Sequence, residues 1–132
     1  MPHILHSPLY ILIPYKTKPN IKWYLNLNKY RNTHFQILNK TKIAYKEYMA
    51  PQLEALPVFT KVALNLHIYA RDKRLFDLDN IASVHLKFFQ DALVQSGRIP
   101  DDSYIYIPEI HIYFEKVDKL NPRVVIIIKE IK

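Results

Sequence analysis

Aspartates are concentrated in one stretch of the chain, where five of the twelve acidic residues lie between positions 77 and 102. Asp77 and Asp79 are separated by one residue in the run DLDN, and Asp102 closes the run GRIPDD at 97–102. Magnesium and manganese are hard cations that prefer carboxylate oxygens and water as ligands. Phosphodiester hydrolysis uses such an ion to neutralise the phosphate and to activate a water. The pattern therefore predicts a Mg²⁺ or Mn²⁺ site held by Asp77, Asp79 and Asp102.

The spacing of these residues sets conditions on the structure around them. Side chains of a strand alternate with period two, so Asp77 and Asp79 are expected on one side of a strand end. Asp102 can join them if the 97–102 loop doubles back along the intervening helix. A purely structural alternative is that Asp79 or Asn80 caps that helix, with no role in chemistry.

Basic residues dominate the first third of the chain. Residues 1–46 contain eight basic side chains and no acid, and the whole chain has a net charge of +7. Such a field attracts polyanions. Trp23, Tyr24 and Tyr30 are interleaved with the basic residues and can stack on unpaired bases; the alternative is that these rings fill the core. In this basic arm (about 16–46), the residues predicted to contact DNA phosphates are Lys16, Lys18, Lys22, Lys29 and Arg31.

Several classes of protein are excluded by composition. The chain has no cysteine, which rules out disulfides, thiolate catalysis and cysteine-ligated zinc. A single glycine cannot build a phosphate-binding loop, so no nucleotide cofactor is expected. An EF-hand loop that began at Asp77 would need Gly at its sixth position and Glu at its twelfth. This chain has Ala82 and Phe88 there, so an EF-hand is excluded. No apolar run approaches the ~20 residues of a membrane span, and the first residues lack a secretory signal pattern, so we expect cytoplasmic residence without membrane attachment.

Hydrophobic periodicity predicts one mixed α+β domain over residues 1–132, in the order β-α-β-α-β-β. Residues 20–32 are expected to form an ordered loop or an irregular strand. Thr33 is a candidate N-cap for the first helix, and Gly97 ends the second helix as its C′ residue. The predicted strands cover 9–15, 61–71, 104–117 and 123–131, and the predicted helices cover about 33–55 and 80–96.

The runs DLDN (77–80), DAL (91–93), Gly97 and DD (101–102) together resemble the RusA family of Holliday junction resolvases. A looser resemblance extends to the N-terminal segment, through Pro19, Asn20, Asn26, Asn28, Tyr30 and Arg31. The resemblance implies a RusA-like fold and a magnesium-dependent homodimer that introduces paired nicks across a four-way DNA junction in recombination and repair. It matches Asp77, Asp79 and Asp102 to the metal-binding acids, and it favours a phage origin with action in the cytoplasm of the bacterial host.

Two positions depart from the family pattern. The catalytic lysine is expected four residues after Asp79, where this chain has Ser83; counted back from DAL, it falls on Lys87. Lys87 can approach the metal if the helix begins late. Otherwise it contacts DNA farther out or forms a helical pair with Asp91. The family's basic residue before DLDN is replaced by Phe76, and the nearest candidates for DNA contact are Arg71, Lys73 and Arg74.

The residues therefore favour a junction-resolving endonuclease, in which Asn80 and Asp101 support the three metal-binding aspartates and Lys87 is a fourth catalytic candidate. Two other functions remain open. One is a branched-DNA-binding protein without catalysis, for which the basic arm is sufficient. The other is a metal-dependent phosphohydrolase of nucleotides, for which the basic arm has little use.

Overall fold

The structure, a computed structural model, describes residues 2–15 and 18–132. Lys16 lies outside the described residues, as does the side chain of Lys18. The chain forms one α+β domain with the elements β1 (His3–Pro8), β2 (Tyr10–Tyr15), β3 (Lys18–Tyr24), α1 (Leu27–Arg31), α2 (Phe35–Glu54), β4 (Val62–Ala70), α3 (Leu78–Gln95), β5 (Glu109–Val117) and β6 (Arg123–Glu130). None of the helices in the described ranges combines the length and apolar character that a bilayer span requires.

Four strands form a mixed sheet in the order β1-β6-β4-β5, and β2 and β3 form a separate antiparallel hairpin. β4 and β5 are parallel, whereas β6 is antiparallel to both β1 and β4. A parallel pair requires a crossover connection, and here that connection contains α3. α3 therefore starts beyond the carboxyl end of β4 and returns to the end where β4 and β5 begin.

The core lies between one face of this sheet, the two long helices and the hairpin. Along β4, Leu64, Leu66 and Ile68 are buried, whereas the alternate residues are half-exposed on the opposite face. From the hairpin, Trp23 is buried and stacks on Phe88 of α3 with 5.4 Å between the ring centroids. Packing of one face only is typical of sheets with antiparallel pairs, which tolerate solvent on the other side.

The two predicted long helices are present, with small changes at their starts. The first begins at Phe35 with His34 as its N-cap, in place of Thr33, and the His34 ring accepts a hydrogen bond from the Gln36 amide. The second begins at Leu78, two residues earlier than expected. Gly97 has a φ of 76°, the left-handed conformation predicted for the residue after this helix.

The N-terminal region contains more regular structure than predicted. The strand expected at 9–15 is preceded by β1, and residues 20–32 divide between β3 and α1. β1 was missed because its inward positions include Ser7, which is buried through hydrogen bonds to Tyr45 and His85. At the other end of the chain, the strand expected from residue 104 begins only at Glu109, and residues 104–106 form a turn closed by hydrogen bonds to the Ser103 carbonyl.

Candidate active site at the start of helix α3

A cleft of about 330 Å³ opens where β4 ends and α3 begins. We call it the arginine cleft, because Arg71 and Arg74 from the β4–α3 loop and Arg123 from the start of β6 line it. Arg123 is brought there by the antiparallel pairing of β6 with β4, in which it lies opposite Tyr69. Arg123 was not among the residues predicted from the sequence, because its position in the cleft depends on strand order and register.

The charges in the arginine cleft are partly compensated. The Arg74 guanidinium donates to Asp72 Oδ2 at 3.0 and 3.2 Å, and these bonds hold the pKa of Asp72 below its usual value. Arg123 Nη1 lies 3.0 Å from Asp118 Oδ2. The Arg71 guanidinium lies over the Tyr24 ring at 5.0 Å and is 3.7 Å from Asp72. The three arginines therefore share two anionic partners, and a guanidinium that exchanges its carboxylate contact can bind a phosphate.

Asp77 and Asp79 lie at the start of α3, on exposed positions beside the arginine cleft. Asp77 is the N-cap residue in extended conformation, yet its side chain makes no capping hydrogen bond. β4 already ends at Ala70, so the pair belongs to a helix start and not to the strand end that the spacing suggested. Asp77 and Asp79 are two residues apart, so their Cα atoms are separated by at most about 7 Å. This distance is compatible with one cation shared by both carboxylates.

Asn80 links the start of α3 to the N-terminal segment. Its Oδ1 accepts a hydrogen bond from the Leu27 amide at 3.0 Å, at the first residue of α1. Asn26 caps the same helix by accepting from the Lys29 amide at 2.8 Å. Asn26 and Asn28 also line the arginine cleft. The DLDN run and the asparagine-rich segment, which are some 50 residues apart in the sequence, are therefore neighbours in space.

Lys87 does not lie beside the aspartate pair. Because α3 begins at Leu78, the late helix start that would have brought Lys87 close is not found. Lys87 is two turns beyond Asp79, about 12 Å along the axis, and its Nζ lies 6.0 Å from the Tyr30 ring centre. Ser83 occupies the position four residues after Asp79, and its Oγ donates to the Asp79 carbonyl at 2.5 Å.

Asp101 and Asp102 lie at the opposite end of α3, in the loop that leads to β5. α3 has 18 residues and is about 27 Å long. The loop is fixed at that end, because the Arg98 carbonyl accepts from the Phe59 amide at 2.7 Å and the Tyr106 carbonyl accepts from the Val62 amide at 2.8 Å. Buried Ile99 and Ile107 anchor it further.

The 97–102 loop therefore does not double back to the start of α3, contrary to the expectation from the sequence. Over the described ranges, no three side chains of His, Asp or Glu are close enough together to hold a metal ion. The fold brings together Asp77, Asp79 and Asn80, and it keeps Asp101 and Asp102 of the same chain apart from them.

The basic arm is divided between the hairpin and α1. Lys29 and Arg31 are exposed in the last turn of α1, and Lys22 is exposed with its Nζ 4.8 Å from the Tyr10 ring centre. Lys73 is exposed in the β4–α3 loop. Trp23 belongs to the core, where its Nε1 donates to Thr33 Oγ1 at 3.0 Å, so it cannot stack on DNA bases.

No family model and no curated protein matches this chain.

Proposed function

We propose that this protein is a Mg²⁺-dependent, structure-selective endodeoxyribonuclease that resolves four-way (Holliday) DNA junctions. One observation carries the proposal: Asn80 of the DLDN run, the asparagine-rich N-terminal segment and three arginines line one cleft, and Asp77 and Asp79 lie at the same helix start. The first two belong to the stretches through which the sequence resembles RusA resolvases. Their hydrogen-bonded contact supports extending that resemblance to function.

The arginine cleft supplies the groups that a DNA backbone requires. Guanidinium groups present a planar fork that binds phosphate oxygens in pairs, and they keep their charge at every physiological pH. Arg74, which is largely exposed, can exchange its contact with Asp72 for a phosphate oxygen. Lys29 and Arg31 on α1 extend the positive surface beyond the cleft.

The exposed carboxylates of Asp77 and Asp79 suit a hard divalent cation, because they offer oxygen ligands that no side-chain cap interaction occupies. When bound there, such an ion supplies charge neutralisation at the phosphate and activation of a water. Asn80 positions the site by fixing α1 against α3, which holds the basic arm beside the two aspartates. Asp102, supported by Asp101, is the proposed third ligand. Because Asp102 lies at the far end of α3 in its own chain, a second copy of the chain would have to supply it.

A homodimer fits both the substrate and the divided aspartates. A four-way junction has approximate two-fold symmetry, so a two-fold dimer presents one active site to each of two opposed strands. A single subunit would nick one strand and leave the junction unresolved. We expect the protein to act in the cytoplasm, which is that of the bacterial host if the gene is carried by a phage.

Cleavage of a synthetic four-way junction with and without Mg²⁺ tests the proposal. We expect paired, symmetric nicks with Mg²⁺ and no cutting of a linear duplex of the same sequence. Loss of a metal ligand costs several kcal/mol of transition-state stabilisation, so Asp79→Asn should lower the cutting rate at least about 100-fold while junction binding persists. Glu47→Gln, which removes one exposed charge from α2, should cut at the wild-type rate.

Two other outcomes would contradict the proposal. A band shift without cutting at any concentration of Mg²⁺ or Mn²⁺ would identify a branched-DNA-binding protein. The distance between Asp102 and the start of α3 is the observation that favours this second function. Hydrolysis of free nucleotides without any requirement for branched DNA would identify a nucleotide phosphohydrolase.

A further inference from the structure

The arginine cleft contains more than the groups that bind a phosphate. Its floor is apolar, because Leu25, Ile68 and Val124 line it and are almost completely buried. Phosphate oxygens gain nothing from contact with carbon atoms, whereas a flat aromatic group is stabilised when it leaves water and lies against them. The floor therefore indicates a ligand that has an apolar part as well as an anionic part.

Two arginine–tyrosine pairs line the same cleft. The Arg71 guanidinium lies 5.0 Å from the centre of the Tyr24 ring, and the Arg123 guanidinium lies 4.0 Å from the centre of the Tyr69 ring. Tyrosine rings and guanidinium planes are both surfaces on which nucleobases stack. The members of the pairs come from β3, β4, β6 and the β4–α3 loop, so the fold assembles a stacking surface from distant parts of the chain.

Asparagines of the cleft supply hydrogen-bond donors. The Oδ1 atoms of Asn80 and Asn26 accept from the Leu27 and Lys29 amides, which leaves the Nδ2 group of each as a donor. Nucleobases present carbonyl oxygens and ring nitrogens as acceptors along their edges. At about 330 Å³, the cleft is at the lower end of the range of about 300–1,000 Å³ for small-ligand sites, which suits one nucleotide.

We infer that the arginine cleft binds one unpaired nucleotide of branched DNA, with its base against the Tyr24 ring and the apolar floor and its phosphate on the arginines. The source of the nucleotide rests on the proposed action on branched DNA. Turning a base out of a duplex costs free energy, and the cost is least where the base is already unpaired, as at a branch point. The cleft thereby favours branched DNA over a linear duplex.

Two DNA probes that differ in a single base test the inference without any cutting. Each is a duplex with one extra nucleotide in one strand; this nucleotide carries adenine in the first probe and is abasic in the second. Without divalent metal, the wild-type protein should bind the adenine probe at least about fivefold more tightly, the minimum that stacking of one base contributes. Both probes have the same phosphates, so the ratio of the two affinities should not change with salt.

Three variants and one control identify the cleft as the site. Tyr24→Ala should bring the ratio to about one, and Tyr24→Phe, which keeps the ring, should retain it. Asn28→Trp fills the cleft from an exposed position and keeps the backbone carbonyl that accepts from Asn32, so it should also bind both probes equally. Tyr104→Ala removes a ring that is 81% exposed at the far end of α3 and should keep the wild-type ratio.

Equal affinity of the wild-type protein for the two probes would overturn the inference, as would a preference for adenine that survives in Asn28→Trp. Free deoxyadenosine 5′-monophosphate tests the source of the nucleotide, and we expect it to compete far more weakly than the adenine probe. Competition at similar concentrations would identify a site for free nucleotides and would also overturn the inference.

The cleft inference and the nuclease proposal fail in different ways. A protein that cuts four-way junctions but binds both probes equally would reject the cleft inference alone. A protein that prefers the adenine probe and cuts nothing would support the cleft inference and reject the nuclease.

Discussion

At the scale of single residues, the least expected feature is a polar trio inside the core. Ser7 Oγ lies 2.7 Å from Tyr45 Oη and 2.6 Å from His85 Nδ1, and all three residues are buried. Burial disfavours the charged forms, so it raises the pKa of Tyr45 and lowers the pKa of His85 to about 3. His85 Nε2 has no hydrogen-bond partner among the described residues. The folded state therefore requires a neutral His85.

This requirement predicts acid sensitivity. Burial lowers the pKa of His85 from the 6.5 of an unperturbed histidine to about 3, so between these values the unfolded chain binds more protons. The free energy of unfolding should fall as the pH drops below about 6.5, by up to about 1.4 kcal/mol per pH unit from this group. Urea unfolding between about pH 6.5 and pH 5 should show this slope in the wild type and lose it in His85→Leu.

Met49→Leu, a volume-conserving change in the same core, is the control. It should shift the free energy of unfolding equally at all pH values and keep the wild-type slope. An unchanged slope in His85→Leu would show that other groups cause the acid sensitivity.

At the scale of elements, α1 depends on contacts from outside itself. A helix of five residues is not stable alone in water, so its position must be set by its surroundings. The bond from the Leu27 amide to Asn80 Oδ1 ties its first residue to the start of α3, and Tyr30 packs against Phe88 farther along α3. The Asn80 side chain therefore fixes the end of α1 that lies nearest the aspartates.

Asn80→Ala should release this end of α1. Loss of a hydrogen bond that leaves its partner unpaired costs roughly 1–3 kcal/mol, so amide exchange at Leu27 should quicken about tenfold or more, with weaker junction binding. Exchange measured residue by residue checks the local effect. Asn39→Ala, exposed on α2, should leave Leu27 protected. Unchanged exchange at Leu27 in Asn80→Ala would contradict the positioning role.

At the scale of the whole molecule, charge and apolar surface are separated. The basic residues of α1 lie near the arginine cleft, whereas the exposed apolar residues of β5 form the sheet edge. A protein with a net charge of +7 binds DNA mainly by displacing counterions from phosphates, so its affinity falls with salt. The basic surface near α1 is therefore not covered by the exposed apolar residues of β5.

Lys29→Ala should weaken junction binding to a similar extent on all sequences and reduce the slope of log affinity against log salt by about 0.9. Lys129→Ala removes the same charge at the far end of β6 from Arg123 and should leave the slope unchanged. Fluorescence anisotropy across a salt series measures both. Equal slopes for wild type and Lys29→Ala would remove α1 from the DNA-binding surface.

Local patterns in the chain were sufficient to predict the long helices, β4 and β6, and the grouping of Asp77, Asp79 and Asn80. Hydrophobic periodicity and short spacings depend on neighbouring residues alone, so they can be recognised before folding is known. The direction in which α3 runs, and therefore the separation of Asp102 from that group, depends on the parallel pairing of β4 with β5. Likewise, Arg123 reaches the cleft through strand register, and His85 becomes buried through packing against β1 and α2. These are contacts between distant residues, and no local pattern contains them.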